Sequence, residues 1–404
     1  MFEWLLKKQL ERVKPTLIFF AGDWGKSMAM ASTLSVLRSR AADAEALSDV
    51  HDVSRALLAL RQPSLVRAFI ARLFKSRPYP TSVCLEVDET TTWPSPQTLQ
   101  HAGKIMLVIT SLTMGQDAKI ALAELVARFG DAKESLIVVY NAEMPWLADA
   151  LADAAKEQTT FAIDQLADLR AMNIETITHG PETGETLDGR WRGMSCKVQT
   201  SGSTVPLQIF SGIGRYHVLA GLCALAVGQA LGANMVEALQ ALRAHTPLPG
   251  RMSLIPGIKK SMLVDDSYDT DALTLAQALQ EVAALPLPAG KKRIAVIGEM
   301  PETGAQSASI HCAIGELLAG LPFDMIVGVG ERTTDLLSCA SRAGIDQNKL
   351  VHFNDKYEAG KFVQHALRKG ELVLVKGSKK EKLESVVKEL MAFPLKAKQD
   401  LLQR

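Results

Sequence analysis

Short uninterrupted apolar runs recur along this chain, and amphipathic stretches separate them. Thr16-Leu-Ile-Phe-Phe20, Ser82-Val-Cys-Leu-Glu-Val87, Ile105-Met-Leu-Val-Ile-Thr110 and Leu136-Ile-Val-Val-Tyr140 each read as a strand buried on both faces. Helical periodicity occupies 28–39, 117–129 and 146–155. This alternation predicts a doubly wound parallel sheet. The stretch 176–210 is more β-like and punctuated by glycine, and 190–198 and 205–210 are predicted to pair antiparallel. Helices are predicted over 216–231 and 235–244. Thr246-Pro-Leu-Pro-Gly250 then stops the helix and starts a new unit. Beyond it strands are predicted over 261–264, 293–297, 325–329 and 372–375, again separated by helices. The expected class is α/β, with an amphipathic N-terminal helix over 1–14, a central domain over 15–247 and a Rossmann-like C-terminal domain over 248–404.

Composition narrows the function classes. Hydrophobic residues make up 47% of the 404 residues, which is ample for two cores. A formal net charge of +1 provides no large field for nucleic acid or an anionic membrane. The apolar run 218–231 is too short to span a bilayer and is expected to be a buried helix. The five cysteines are odd in number, far apart and without a Cys-x-x-Cys pair. That usage predicts reduced thiols in a cytoplasmic protein and no zinc site.

Candidate chemistry lies at the strand ends. Ala21-Gly-Asp-Trp-Gly-Lys-Ser27 places Gly-Lys-Ser between a strand and a helix. In such a turn backbone N–H groups surround phosphate oxygens, the lysine reaches the β- and γ-phosphates, and the hydroxyl ligates Mg²⁺. The central domain is therefore expected to be P-loop-type, with Gly22, Gly25, Lys26 and Ser27 at ATP. The first glycine is off the usual Gly-x-x-x-x-Gly-Lys-Ser spacing, because residue 20 is Phe, and Trp24 is bulky for a loop that must approach phosphate. A second concentration is Leu263-Val-Asp-Asp-Ser-Tyr-Asp-Thr-Asp271, an apolar strand that ends in four acids. It suits a ribose, a metal-bound phosphate or an amine. It equally suits an Asp-rich turn capping a helix that starts near Leu273.

Several ordered motifs resemble the Mur ligase family, most closely the members that add D-alanyl-D-alanine to a UDP-N-acetylmuramoyl tripeptide. They are Pro249-Gly-Arg251, Val264-Asp-Asp-Ser-Tyr268, Gly298-Glu-Met-Pro-Glu-Thr-Gly304 with Ser307 and His311 after it, and Leu374-Val-Lys-Gly-Ser378. The resemblance covers about residues 15–404. It implies an ATP- and Mg²⁺-dependent ligase that converts a carboxylate to an acyl phosphate and then to an amide, on a peptidoglycan precursor or related peptide. By that resemblance Lys26 and Ser27 hold phosphate and metal, Glu86 is a metal ligand, and Asn141 lies at the nucleotide. Arg251 and Asp266 meet phosphates and ribose, and Lys376 with Ser378 receives the incoming amine substrate. Lys26, Arg251 and Lys376 are the expected catalytic residues. The partners implied are a small-molecule or peptide carboxylate and an amine, with no nucleic acid and no membrane span.

The central domain departs from the family pattern. Asp23-Trp24 stands where the family has Thr-Asn, and no His follows Thr110-Ser111. Ala121-Leu-Ala-Glu124 lacks the family's carbamoylated lysine, and Gly214-Arg-Tyr-His-Val-Leu-Ala220 replaces its adenine-side motif. The family's UDP-binding N-terminal domain is not expected, since 15 residues precede the first strand. These departures support a second reading: an impaired homologue that binds or regulates, with a partner ligase as its partner. Plainer roles also stand beside the functional ones. Lys376 and Ser378 suit a turn cap, Glu86 a solvent-facing strand end, His311 a helix start, and the lysines at 379, 380, 382 and 388 a solvated helix face.

Overall fold

A computed structural model describes residues 2–39, 43–48, 50–60, 79–113, 115–177, 191–300 and 304–402. The chain divides into two compact units, the first comprising 1–174, 195–209 and 216–245, the second 175–194, 210–215 and 246–404.

The first unit opens with α1 (Phe2–Val13), β1 (Thr16–Ala21), α2 (Lys26–Ser39), β2 (Ala44–Leu47), α3 (Val53–Ala59) and β3 (Ser82–Glu86). It continues through α4 (Pro96–Leu99), β4 (Lys104–Ile109), α5 (Gln116–Ala127), β5 (Leu136–Asn141), α6 (Trp146–Leu151) and β6 (Glu157–Ala162). Strands β7 (Leu169–Ile177), β8 (Gly193–Gln199) and β9 (Thr204–Phe210) precede α7 (Arg215–Ala230) and α8 (Met235–Ala244). The nine strands lie in the order β2-β3-β1-β4-β5-β6-β7-β8-β9. Pairing is parallel from β2 to β7. Strand β1 is therefore where the order reverses, the position at which open α/β sheets bind ligands at their carboxyl ends. Its burial supports that geometry: Leu17, Ile18, Phe19 and Phe20 are fully buried, so the strand is covered on both faces. Leu6 and Leu10 of α1 join the same core as Phe19 and Phe129, so the N-terminal helix is packed rather than a loose leader.

The second unit contains β10 (Ser253–Pro256), β11 (Met262–Asp266), α9 (Ala272–Ala284), β12 (Arg293–Ile297), α10 (Ser307–Ala319), β13 (Met325–Val329) and α11 (Thr333–Arg342). It ends with β14 (Leu350–Phe353), α12 (Lys356–Ala366), β15 (Leu372–Lys376), α13 (Glu384–Leu390) and α14 (Ala397–Asp400). The strand order is β10-β11-β15-β12-β13-β14, antiparallel at β10–β11 and parallel elsewhere. Strand β15 lies between β11 and β12, so Asp266 is the register partner of Lys376, and Lys376 is that of Ile297.

Several sequence expectations need correction. Strands β2, β6, β7, β10 and β14 were not expected, since most are short, half-exposed or at a sheet edge, where the continuous apolar signal is weak. Helix α6 ends at Leu151 rather than 155, and α5 ends at Ala127 rather than 129. Lys379, Lys380 and Lys382 lie in turns before α13, and of that lysine series Lys388 alone is helical. Arg190 and residues 301–303 of the Gly298 motif lie outside the described residues. Not all the thiols are free: Cys312 and Cys339 form a disulfide, while Cys84, Cys196 and Cys223 are buried and unpaired. The spacing could not show this, because helix packing rather than sequence proximity brings the two together. Among the described residues no helix is long and apolar enough to cross a membrane.

Candidate nucleotide and ligation site

The turn after β1 is a tightly held glycine loop. Gly22 and Gly25 have φ of +142° and +80°, conformations that side chains rarely adopt. A Cβ at Gly22 would also lie 2.5 Å from Thr110 Oγ1 and 2.6 Å from the Ser111 carbonyl oxygen. The loop is thus pressed onto the carboxyl end of β4. Four hydrogen bonds hold it there. The Trp24 amide donates to Ser111 Oγ at 2.8 Å, and the hydroxyls of Ser111 and Thr110 both donate to the Trp24 carbonyl at 2.8 Å. The Asp23 amide donates to the Ser111 carbonyl at 3.0 Å. Thr110 and Ser111, which depart from the family pattern in lacking a following His, are the anchors of the loop. The legible signal was two hydroxyl residues ending the strand beside β1.

The two unexpected loop residues have physical explanations. The Asp23 carboxylate accepts from the Thr113 amide at 2.5 Å, so a backbone donor holds it. The Trp24 ring packs edge-on against Tyr216, with centroids 5.0 Å apart. Helix α2 begins at Lys26 and carries no acid in its first turn, which leaves the positive end of its dipole unopposed.

Ser27 and Glu86 are in direct contact. Ser27 Oγ lies 3.0 Å and 3.2 Å from the two Glu86 carboxylate oxygens, bridging the start of α2 to the end of β3. Lys26 Nζ donates to the Val87 carbonyl at 3.3 Å. Asn141 is fully buried; its Nδ2 donates to the Thr110 carbonyl at 3.0 Å and its Oδ1 accepts from the Glu143 amide. That amide positions the strand end carrying the loop's anchors. A cavity of about 400 Å³ opens beside the loop, lined by Gly22, Asp23, Lys26, Asp88, Trp93 and Arg128 among others. Trp93 is fixed there by Phe19 and Phe129, at 4.8 Å and 5.5 Å between ring centroids.

In the second unit a separate charged cluster sits at the strand ends. Lys376 is 3% exposed, and its Nζ lies 2.9 Å from Asp266 Oδ2 and 2.5 Å from the Asp269 carbonyl. Asp266 Oδ1 accepts from the Met252 amide at 3.2 Å. The Arg251 guanidinium lies 3.9 Å from the centre of the Tyr268 ring, and Lys379 Nζ lies 4.4 Å from it. Lys376 therefore pairs with Asp266, and Arg251 stacks on the neighbouring Tyr268. Ser378 faces elsewhere: its amide and hydroxyl both donate to Glu381 Oε2, at 3.1 Å and 3.4 Å. Glu381 also accepts from the Glu299 amide, and burial pushes its carboxyl up to about 7. Asp271 caps α9 in a reciprocal box with Thr274, so the far end of the acidic stretch is a helix start.

Asp265 points to the opposite face from Asp266. It is fully buried; Oδ1 accepts from the Ser267 amide, and Oδ2 has no hydrogen-bond partner among the described residues. Burial pushes its carboxyl up to about 7, against the Ser267 bonds and helped by the neighbouring charges of Asp266 and Glu384. The folded chain then holds a proton that the unfolded chain releases near pH 4, so stability is greatest below that and falls as pH rises through about 7. Asp265→Asn is expected to flatten this slope and to add about 2 kcal/mol at pH 8. Urea melts at pH 5 and pH 8 test this, and an unchanged slope would refute it.

These motifs have recognisable relatives. Residues 250–379 match the family described as "Mur ligase, glutamate ligase domain". Residues 250–379 are a Mur ligase C-terminal domain. The UDP-N-acetylmuramoyl-tripeptide–D-alanyl-D-alanine ligase of Escherichia coli strain K12 is 27% identical over 226 residues, 55% of this chain and 44% of that protein. The UDP-N-acetylmuramate–L-alanine ligase of Deinococcus radiodurans is 34% identical over 143 residues, covering 35% of this chain and 27% of that protein. The match thus spans less than half the length of these curated Mur ligases. In fold the likeness extends further. A crystal structure of MurF from Acinetobacter baumannii superposes with a TM-score of 0.72 at 18% identity, covering 96% of this chain and 79% of that one. MurF from Thermotoga maritima, in complex with ADP, superposes with a TM-score of 0.68 at 16% identity, covering 96% and 82%. Both the central and the C-terminal parts of the chain therefore share the Mur ligase fold.

Proposed function

We propose that this chain is an ATP- and Mg²⁺-dependent amide ligase of the Mur type. It would work in the cytoplasm through an acyl phosphate, on a peptidoglycan precursor or related peptide, with domains over 15–247 and 248–404. The observation that carries this reading is the Ser27–Glu86 contact beneath an intact glycine loop. A hydroxyl and a carboxylate are hard oxygen donors that suit Mg²⁺, which keeps several of its own waters. Bound Mg-ATP supplies the phosphoryl group that activates the carboxylate.

The chain's own residues position and neutralise. Backbone N–H groups of 22–27 cradle the phosphates, and Lys26 offsets charge on the γ-phosphate. Ser27 and Glu86 would hold the metal. The cavity beside Lys26 gives a carboxylate substrate room next to the loop, with Trp93 as an apolar wall. In the second unit Arg251 and Asp266 serve the nucleotide, and Lys376 meets the carboxylate of the incoming amine substrate. Ser378 supports that turn through Glu381.

A second reading is a nucleotide-binding homologue that regulates a partner ligase. It is favoured by Leu122, 2% exposed within the segment where the resemblance places a lysine. One assay separates the two. Phosphate release is measured with Mg-ATP, UDP-N-acetylmuramoyl tripeptide and D-alanyl-D-alanine, alongside Mg-ATP binding by calorimetry. Release that requires both substrates is expected. Binding without release supports the regulatory reading, and neither sinks both.

A further inference from the structure

Helices α10 and α11 cross at unusually close range. A Cβ on Gly315 would lie 2.2 Å from the Leu336 carbonyl oxygen and 3.2 Å from Cys339 Cβ. One turn before Gly315, this approach brings Cys312 opposite Cys339, with Cα atoms 5.1 Å apart. The pairing is set by helix packing, so the two sulfurs stay neighbours whether or not they are bonded.

The surroundings suit exchange rather than a permanent staple. Cys312 is half-buried and reachable, while Cys339 is 4% exposed. Arg342 Nη2 lies 2.7 Å from Cys339 Sγ and 3.8 Å from Cys312 Sγ. A guanidinium there stabilises thiolate, which makes Cys339 a better leaving group when an external thiol attacks Cys312. The other cysteines lie deep: burial pushes the Cys84 and Cys196 thiols up to about 12 and raises Cys223 also. Reactivity is thereby confined to one pair.

We propose that Cys312 and Cys339 are a redox modification site, a dithiol that small disulfides such as glutathione disulfide oxidise and reduced glutathione reopens. The Cys312 thiolate attacks one sulfur of the small disulfide and expels its first thiolate. The Cys339 thiolate then attacks Cys312 Sγ and expels the second. Two cysteine thiols are oxidised, one small disulfide is reduced to two thiols, and the two cysteine protons pass to the released thiolates.

The site reaches the motif loop after β12 from both helices. His311, beside Cys312, accepts from the Met300 amide through Nε2 at 3.2 Å, and its Nδ1 is held by the Ser307 carbonyl at 2.8 Å. The Arg332 amide, at the start of α11, donates to Glu299 Oε1 at 2.9 Å. Joining α10 to α11 therefore fixes together the two supports of Glu299 and Met300.

The full-length chain is equilibrated with reduced or oxidised glutathione and followed by intact mass, iodoacetamide labelling and hydrogen exchange. Oxidised chain is expected to lose two hydrogens in mass and to label nowhere, while reduced chain labels first at Cys312. Cys339→Ser is expected to trap a single glutathione adduct on Cys312, and Arg342→Gln to slow reopening by reduced glutathione several-fold. Amides of α10 and of Met300 are expected to exchange more slowly in the oxidised chain. A stable adduct on the unaltered chain, absence of the mass change, or unaltered reopening in Arg342→Gln would overturn the site, and equal exchange in both states would overturn its reach to the loop.

Discussion

Lys26→Ala is expected to weaken Mg-ATP binding by about 100-fold or more while leaving the thermal transition nearly unchanged. The lysine is the first residue of α2, at the positive end of a 14-residue helix, and it makes a long hydrogen bond to the Val87 carbonyl. Removing it takes away one long hydrogen bond to the Val87 carbonyl, worth about 1 kcal/mol. The loop is held by Thr110, Ser111 and the backbone, so its shape does not depend on the ammonium. What is lost is charge at the point where phosphate charge gathers. Calorimetric titration with Mg-ATP, beside a melt of the same preparation, tests this. Binding within threefold of the unaltered chain would show that Lys26 holds no phosphate, and the reading of 22–27 as a phosphate loop would fall.

Much of this geometry was legible in sequence, for a physical reason. A strand buried on both faces must be continuously apolar, so β1, β3, β4 and β5 announced themselves, and Gly-Lys-Ser followed the central one. Edge strands carry no such signal, and β2, β10 and β14 were lost with it. Consecutive Asp265 and Asp266 on a strand must point to opposite faces. Two acids in a buried strand therefore leave one buried carboxyl facing away from the cluster, as the alternation alone implies. The Glu381 contacts and the Cys312–Cys339 pair are not legible in this way. Each depends on a partner brought close by packing, and neither spacing nor composition encodes it.

Lys376→Met is expected to lower stability by about 3 kcal/mol near pH 8, the largest effect among the candidate site residues of the second unit. Lys376 is 3% exposed and its partner carboxylate 11% exposed, so little water is present to replace the ammonium. Asp266 would keep its bond from the Met252 amide but lose the charge that offsets its burial. A buried charge left without its counter-ion is the source of the loss. Adding Asp266→Asn to Lys376→Met removes the stranded charge and should recover most of the stability. The double variant should still fail in amide formation if Lys376 binds the amine substrate's carboxylate. Urea melts of the four chains at two pH values, with phosphate release on the stable double variant, separate these roles. If the double variant is as unstable as Lys376→Met, the pair is not the source of the loss. If the double variant turns over normally, Lys376 holds the β11–β15 register and touches no substrate.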